Sequence, residues 1–283
     1  MPVSPAKGVS CGLGGKGANM AVAARRLGAQ VEFYSKVGDD VVGHAILAYL
    51  KEEGMHSEGI VEEKGLDSNL SLLLVSDDGN YMVSRYGTGY KRITANEVGD
   101  IEMKKGDIVI SALSSFPQEL IHLFFSKARR LGCTVILNCG PMISVDRRLL
   151  DLSDYIVMND AEFAFHSRAD GVKHGDAKRI VEESGRLRKK GQVLVVTLGD
   201  KGFVAIGDDA VIKEDGYRIN AVNTSGAGDC FTGAMATCLA DGKDLDYALR
   251  FANAAAALSV QELGAASSMP HKEKVIKILS SRK

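Results

Sequence analysis

Short apolar runs alternate with amphipathic, glycine-stopped segments along this chain, and that alternation restricts its fold more than any other feature. Val193-Leu194-Val195-Val196 is the clearest run, with Asp107 to Ala112, Thr134 to Asn138 and Tyr155 to Met158 of the same kind. A strand that is apolar on successive residues is buried on both faces, which means a largely parallel sheet covered by helices on each side. Helices are expected from about Gly17 to Leu27, stopped by Gly28, from Val42 to Gly54, after Pro117, and over the charged stretch Asp176 to Lys190. Glycine supplies the left-handed stop and proline a preset first turn. Val31 to Val37 reads as a further strand, and two helices are expected after residue 229. Leu70 to Ser76 and Tyr81 to Arg85 flank Asp77-Asp78-Gly79-Asn80, a hairpin signal outside the alternating rhythm. With no repeat and no linker, the expectation is one α/β domain over residues 1–283, with functional loops at the carboxyl ends of its strands.

Composition narrows the function classes. The formal net charge is -1. No basic run supports nucleic-acid or anionic-membrane binding, although a small anion needs only local positive groups. Five cysteines, at 11, 133, 139, 230 and 238, form no CxxC pair. An odd count without disulfide or zinc spacing fits reduced thiols in the cytoplasm. Met1 to Ser10 lack a signal-peptide core, and no apolar run approaches the ~18 residues of a membrane span.

Chemistry concentrates at two glycine clusters. Asn223-Thr224-Ser225-Gly226-Ala227-Gly228-Asp229 leads directly into Phe231, Ala234, Met235, Cys238 and Leu239, spaced as one buried helical face. The free N–H groups of such a helix start attract anions, and the two glycines let a ligand approach the main chain. Asp229 is either a base beside that anion or only a cap or dipole partner of the helix. The second cluster, Gly12-Leu13-Gly14-Gly15-Lys16-Gly17, matches GxGxxG, with Glu32 twenty residues on. It is not a dinucleotide fingerprint, because no apolar strand precedes it, nor a P-loop, because Gly17 stands where Ser or Thr is needed.

Gly14-Gly15-Lys16-Gly17-Ala18-Asn19, followed by Val37-Gly38-Asp39-Asp40 and Gly43, resembles the first signature of the ribokinase (PfkB) carbohydrate kinases, and Asn223 to Asp229 resembles the second. Between them, Asn159-Asp160-Ala161-Glu162 looks like the NxxE motif and Thr197-Leu198-Gly199-Asp200-Lys201-Gly202 like the TLGxxG nucleotide loop. The resemblance, from Gly14 to Pro270, implies a three-layer α/β/α sandwich with a mainly parallel central sheet and a small β-lid, its segments at about 7–13 and 60–88. It implies an ATP- and Mg²⁺-dependent kinase acting on a hydroxymethyl group of a sugar or sugar-like compound. Asp229 is then the general base, with Gly226, Ala227 and Gly228 as the anion hole. Gly15, Lys16 and Asn19 bind the acceptor; Asn159, Thr197, Gly199, Gly202 and Asn253 lie on the nucleotide side; Glu162 reaches Mg²⁺ through water. On its own terms, Asn159 to Glu162 is also a capping box, and Asn253 is a polar residue in a packed helix. An adenosine-type nucleoside kinase and a catalytically weak sugar- or nucleotide-binding homologue remain the alternatives.

Three departures qualify the resemblance. The chain starts too late for the family's first strand and its substrate-binding Asp; Lys7 to Leu13 is the candidate remnant, and the expectation is that Met1 lies inside a longer natural protein. Asn223 replaces an Asp tied to monovalent-cation activation, so that dependence stays open. Ser114 and Ser115 stand where ribokinases proper can carry a substrate-binding Glu. Arg85, Tyr86 and Lys91 suit either a larger anionic acceptor or solvent. A homodimer through an exposed lid sheet is expected.

Overall fold

The computed structural model describes residues 11–55, 58–76, 79–87 and 92–281, with side chains for all of these except 72–76 and 79–86. Helix α1 (Lys16–Arg26) is followed by strand β1 (Ser35–Gly38), helix α2 (Val41–Glu52), strand β2 (Ile60–Glu63), and the hairpin of β3 (Leu70–Ser76) and β4 (Gly79–Tyr86). Next come α3 (Ala95–Asp100), β5 (Ile108–Ala112), α4 (Gln118–Leu131), β6 (Thr134–Asn138), α5 (Arg147–Leu152), β7 (Tyr155–Asn159), α6 (Asp160–Ser167) and α7 (Ala177–Glu183). The chain continues through β8 (Val193–Thr197), β9 (Phe203–Ile206), β10 (Val211–Glu214), α8 (Ala227–Ala240), α9 (Leu245–Ser259) and α10 (Lys272–Ser280).

The central sheet has the order β10-β9-β8-β7-β6-β5. Strands β5 to β8 are mutually parallel, whereas β9 and β10 add antiparallel neighbours at one end. Its two-sided burial follows the period of two. Ile136, Val157 and Val195 pack with residues of α1, α2, α8, α9 and α10. Their neighbours Val135, Leu137, Ile156, Met158, Leu194 and Val196 pack with α3 to α7. Each fully buried Leu, Val or Phe contributes about 1.5–3 kcal/mol, so both helical layers are held by the same strands. Phe203 of β9 meets Phe231 of α8 edge-on, ring centroids 5.7 Å apart.

Two smaller sheets stand apart from this one: β1 and β2 pair in parallel, and β3 and β4 form an antiparallel hairpin with an irregularity at Leu72/Leu73. The first-signature residues tie the hairpin's root to the body. Asp40 accepts from Gly43 N (2.6 Å) and Ser68 N (2.8 Å), while Ser68 Oγ accepts from Gly38 N (2.8 Å). These backbone donors hold the Asp40 carboxyl below its usual range. Side chains are sterically excluded here: a Cβ on Gly38 would lie 1.8 Å from Leu66 O, and one on Gly87, at φ 96°, 2.3 Å from Ser68 O.

Several expectations are corrected. The strand expected from Val31 begins only at Ser35, because β1 pairs from Ser35 opposite Ile60; among the described residues, 31–34 have no ladder partner, and Val31 and Phe33 pack against the core. Gly79 and Asn80 belong to β4, so the hairpin loop shrinks to residues 77–78, outside the described residues. The helix expected to run to Lys190 ends at Glu183, where Ser184 Oγ donates back to Val181 O (2.9 Å) and a single 3-10 turn follows. Among the described residues three helices, not two, follow the glycine-rich turn, since α10 adds a buried Val275 after Pro270. Cys11 to Leu13 form no strand. The rest of the remnant lid strand, residues 7–10, lies outside the described residues, as do Lys91 and the side chains of Arg85 and Tyr86. All five cysteines are free. Among the described residues no helix is long and apolar enough to cross a membrane.

Candidate active site

A glycine contact sets the site's geometry. Helices α1 and α8 cross at Gly233, where a Cβ would stand 2.5 Å from Met20 O and 3.0 Å from Ala23 Cβ. Only a residue without a side chain lets the two helices approach this closely. Their first turns are thereby brought together: Asn19 Nδ2 donates to Asp229 Oδ2 (2.9 Å), and Lys16 Nζ lies 3.4 Å from Asp229 Oδ1. Asp229 is 4% exposed. Burial pushes its pKa above the usual carboxylate value, while the Lys16 charge and the Asn19 hydrogen bond partly oppose that rise. The cap alternative fails in this geometry, since the N-cap of α8 is Gly226 in the left-handed region (φ 82°) with no side-chain cap. Gly15, at φ 91°, likewise caps α1 without a side chain.

The start of α8 is open to an anion. Ala227 N makes a long contact to Thr224 O (3.3 Å); among the described residues, no acceptor meets the N–H groups of Gly226, Gly228 and Asp229. Among the described residues, Asn19 Oδ1 is buried without a hydrogen-bond partner. A cavity of about 170 Å³ is lined by Lys16, Asn138, Asn159, Glu162, Thr197, Thr224 and residues 226–229. Glu162 satisfies its capping-box reading. It completes the capping box with Asn159 through Oε2 (2.9 Å), while Oε1 faces Gly140, beside which Lys16 Nζ also lies. A buried carboxylate in the cavity wall, with the Lys16 ammonium beside it, fits Mg²⁺ held through water rather than in a protein cage.

On the far side of Thr197, a second cavity of about 680 Å³ is lined by Gly175, Leu198, Asp200, Lys201, Lys213, Asp215 and Arg218, among others. The TLGxxG loop forms one wall as a 3-10 turn, Gly199 to Lys201. Gly202 is required by packing, since a Cβ there would lie 1.9 Å from Glu214 O. Asn253 does not line the cavity. It donates to Asp215 O (3.0 Å) and so holds part of the wall. Asn223 Oδ1 accepts from Ser225 N (2.7 Å), shaping the turn before α8. Ser115 Oγ accepts from Ala112 N (3.2 Å) and lies near Gly17.

Sequence reasoning missed three residues here. Asn138, at the carboxyl end of β6, bonds Thr232 and Gly140 N and lines the smaller cavity. Its signal was a polar residue ending an apolar strand. Thr224 was visible within the glycine-rich turn. His174 bridges Asp160 (2.7 Å) and Asp200 (3.0 Å), joining the NxxE and TLGxxG motifs, and no local pattern marks it.

The sheet, its two helical layers and the separate hairpin define a three-layer α/β/α sandwich with a small β-lid. Residues 2–272 match the family described as pfkB family carbohydrate kinase, and the chain belongs to that family. It is therefore a carbohydrate kinase, a phosphotransferase with an alcohol group as acceptor. It is 32% identical over 272 residues to a ribokinase of Haemophilus influenzae, covering 94% of this chain and 87% of that one. A Bacillus subtilis ribokinase matches equally, at 32% over 271 residues with the same coverage. Among solved structures, Arabidopsis thaliana ribokinase complexed with ribose and ATP superposes with a TM-score of 0.81 at 26% identity, over 94% of this chain and 87% of that one.

Proposed function

We propose that this kinase transfers the γ-phosphoryl group of ATP to a hydroxymethyl group of a sugar or sugar-like acceptor, with Asp229 as general base. The observation that carries this reading is a buried carboxylate, held by Lys16 and Asn19, at the uncapped N-terminus of α8. Asp229 accepts the hydroxyl proton as the acceptor oxygen bonds to phosphorus and the bond to the departing ADP oxygen breaks. A carboxylate whose pKa is raised by burial is a better base than a free one, a role worth ~10² to 10⁴ in rate. The amides of residues 226–228 and the Lys16 ammonium offset negative charge on the migrating group; loss of one such donor costs about 3 kcal/mol. Phosphoryl transfer asks for little else from a protein. Asn19 Oδ1 and Gly15 suit an acceptor hydroxyl. Asn159, Thr197 and Gly199, with Asn253 behind the wall, serve the nucleotide side. Glu162, through Oε1 and water, would hold Mg²⁺, which would supply positive charge against the phosphates.

ADP release measured with ribose, fructose, 2-keto-3-deoxygluconate and nucleosides tests the reading and ranks the acceptors. Turnover with a sugar, abolished in Asp229→Asn while ATP still binds, is the expected outcome. Wild-type turnover in that variant would remove Asp229 as the base, and ATP binding without turnover on any acceptor would favour a binding protein.

A further inference from the structure

Arg26, in the last turn of α1, joins three parts of the fold. Its Nε and Nη2 form a fork onto both carboxylate oxygens of Glu53, just after α2, at 2.9 and 2.6 Å. Its Nη1 donates to Ser267 O (2.9 Å) and Met269 O (2.6 Å). Both side chains of the pair are 14% exposed. A planar guanidinium can make these four bonds at once, whereas an ammonium cannot hold the same fork.

The segment that receives Nη1 is neither helix nor strand. It bends at Gly264 (φ 112°), and Ala266 N donates to Leu13 O at 3.3 Å. Ala266, Ser268 and Met269 are nevertheless buried. Met269 O, at a buried residue without a ladder partner, needs an outside donor, and Arg26 supplies it; its second bond reaches Ser267 O, at an exposed residue. The same turn backs the start of α8: the position of a Cβ on Gly226 lies 3.1 Å from Met269 Cε and 3.7 Å from Ala265 Cα.

We propose that Arg26, braced by Glu53, is a positioning residue that fixes the 264–269 turn against Gly226 and so sets the geometry of the anion-binding amides. This rests on the reading of residues 226–229 given above. It gives the polar network at the back of α1 a part in turnover, although it touches neither substrate nor nucleotide. Small displacements of groups that orient a reaction are expensive in rate.

The test uses Arg26→Met/Glu53→Met, which removes both charges together and leaves neither buried alone, an exchange that is often neutral for stability. Melting temperature, amide hydrogen exchange and steady-state kinetics with the best acceptor are compared with the wild type. The expected result is a melting temperature close to wild type, faster exchange confined to 264–269, and a ~10- to 100-fold fall in kcat with KM for ATP little changed. Glu53→Gln, which still accepts from the guanidinium, should keep most of kcat. Unchanged kcat in the double variant overturns the proposal, as does a fall in kcat with no change in exchange at 264–269. A wild-type protein inactive on every acceptor would instead strike the reading of residues 226–229. The brace itself would still be decided by exchange, and unchanged exchange at 264–269 would sink it.

Discussion

Asp229 holds its charge in a place that opposes charge. Its folded pKa lies above the ordinary carboxyl value of 3.8, chiefly through desolvation. The sign follows: the folded state holds this proton more tightly than the unfolded chain. The group's stabilising contribution is thus full below 3.8 and is lost as pH rises through the folded value. At neutral pH Asp229→Asn should therefore melt at or above the wild-type temperature while kcat falls ~10²- to 10⁴-fold. The acid limb of the wild-type kcat/KM profile should lie above 3.8. Thermal melts at pH 4 and 7 read the first effect, and the second needs only initial rates across pH. The cap of Glu162 and its proposed Mg²⁺ role can be separated. Gln at N3 can still complete a capping box, so Glu162→Gln should shift stability by less than about 1 kcal/mol yet raise the Mg²⁺ concentration needed for half-maximal rate. An unaltered Mg²⁺ requirement would leave Glu162 as a cap alone. Its residue type and spacing could be read from the chain, but which oxygen faces the cavity could not. Cys230, beside Asp229, illustrates the opposite case: its buried thiol is pushed up to about 12, which suits a packing role.

At the level of elements, the crossing of α1 and α8 brings Lys16, Asn19 and Asp229 together. Gly233→Ala would place a methyl group 2.5 Å from Met20 O. Overpacking of this kind costs about 1–3 kcal/mol. Because α1 carries Lys16 and Asn19 while α8 carries Asp229, the helices should separate where the site is assembled. The expected outcome is a kcat loss larger than the loss of folded protein at the assay temperature, measured by activity beside circular dichroism. Equal losses would assign Gly233 to packing only. Elements were legible where the pattern was local. Thr134–Asn138 and Val193–Thr197 emerge as expected, because two-sided burial shows as unbroken apolar residues. Val31 to Tyr34 have the right composition but no strand partner among the described residues, and strand formation depends on a partner. The stop of α7 at Glu183 turns on one serine hydroxyl bonding back to the main chain, a competition that helical periodicity does not register.

The whole molecule divides into a six-stranded body and two small sheets. Amide exchange should be slowest in β6 to β8, whose residues are buried on both faces, and faster in β1 to β4. Sugar and nucleotide together should slow exchange in the β3–β4 hairpin if it closes over the acceptor; unchanged protection there would remove the hairpin from the binding event. ATP at about a hundredfold over its Kd should stabilise the chain by ~2.7 kcal/mol, a rise on the order of 5 °C in melting temperature. By itself, the sequence determined the order of strands and helices, the two-sided sheet and the four motifs. These features rest on side-chain period and on glycine and proline stereochemistry, properties of neighbouring residues. Only the tertiary structure decided that Asn19 and Lys16 grip a carboxylate more than 200 positions away, that Glu162 keeps one oxygen toward the cavity, and that Arg26 reaches the turn behind Gly226. Those contacts depend on how closely helices can pack, and no local pattern encodes the distance between two distant backbones.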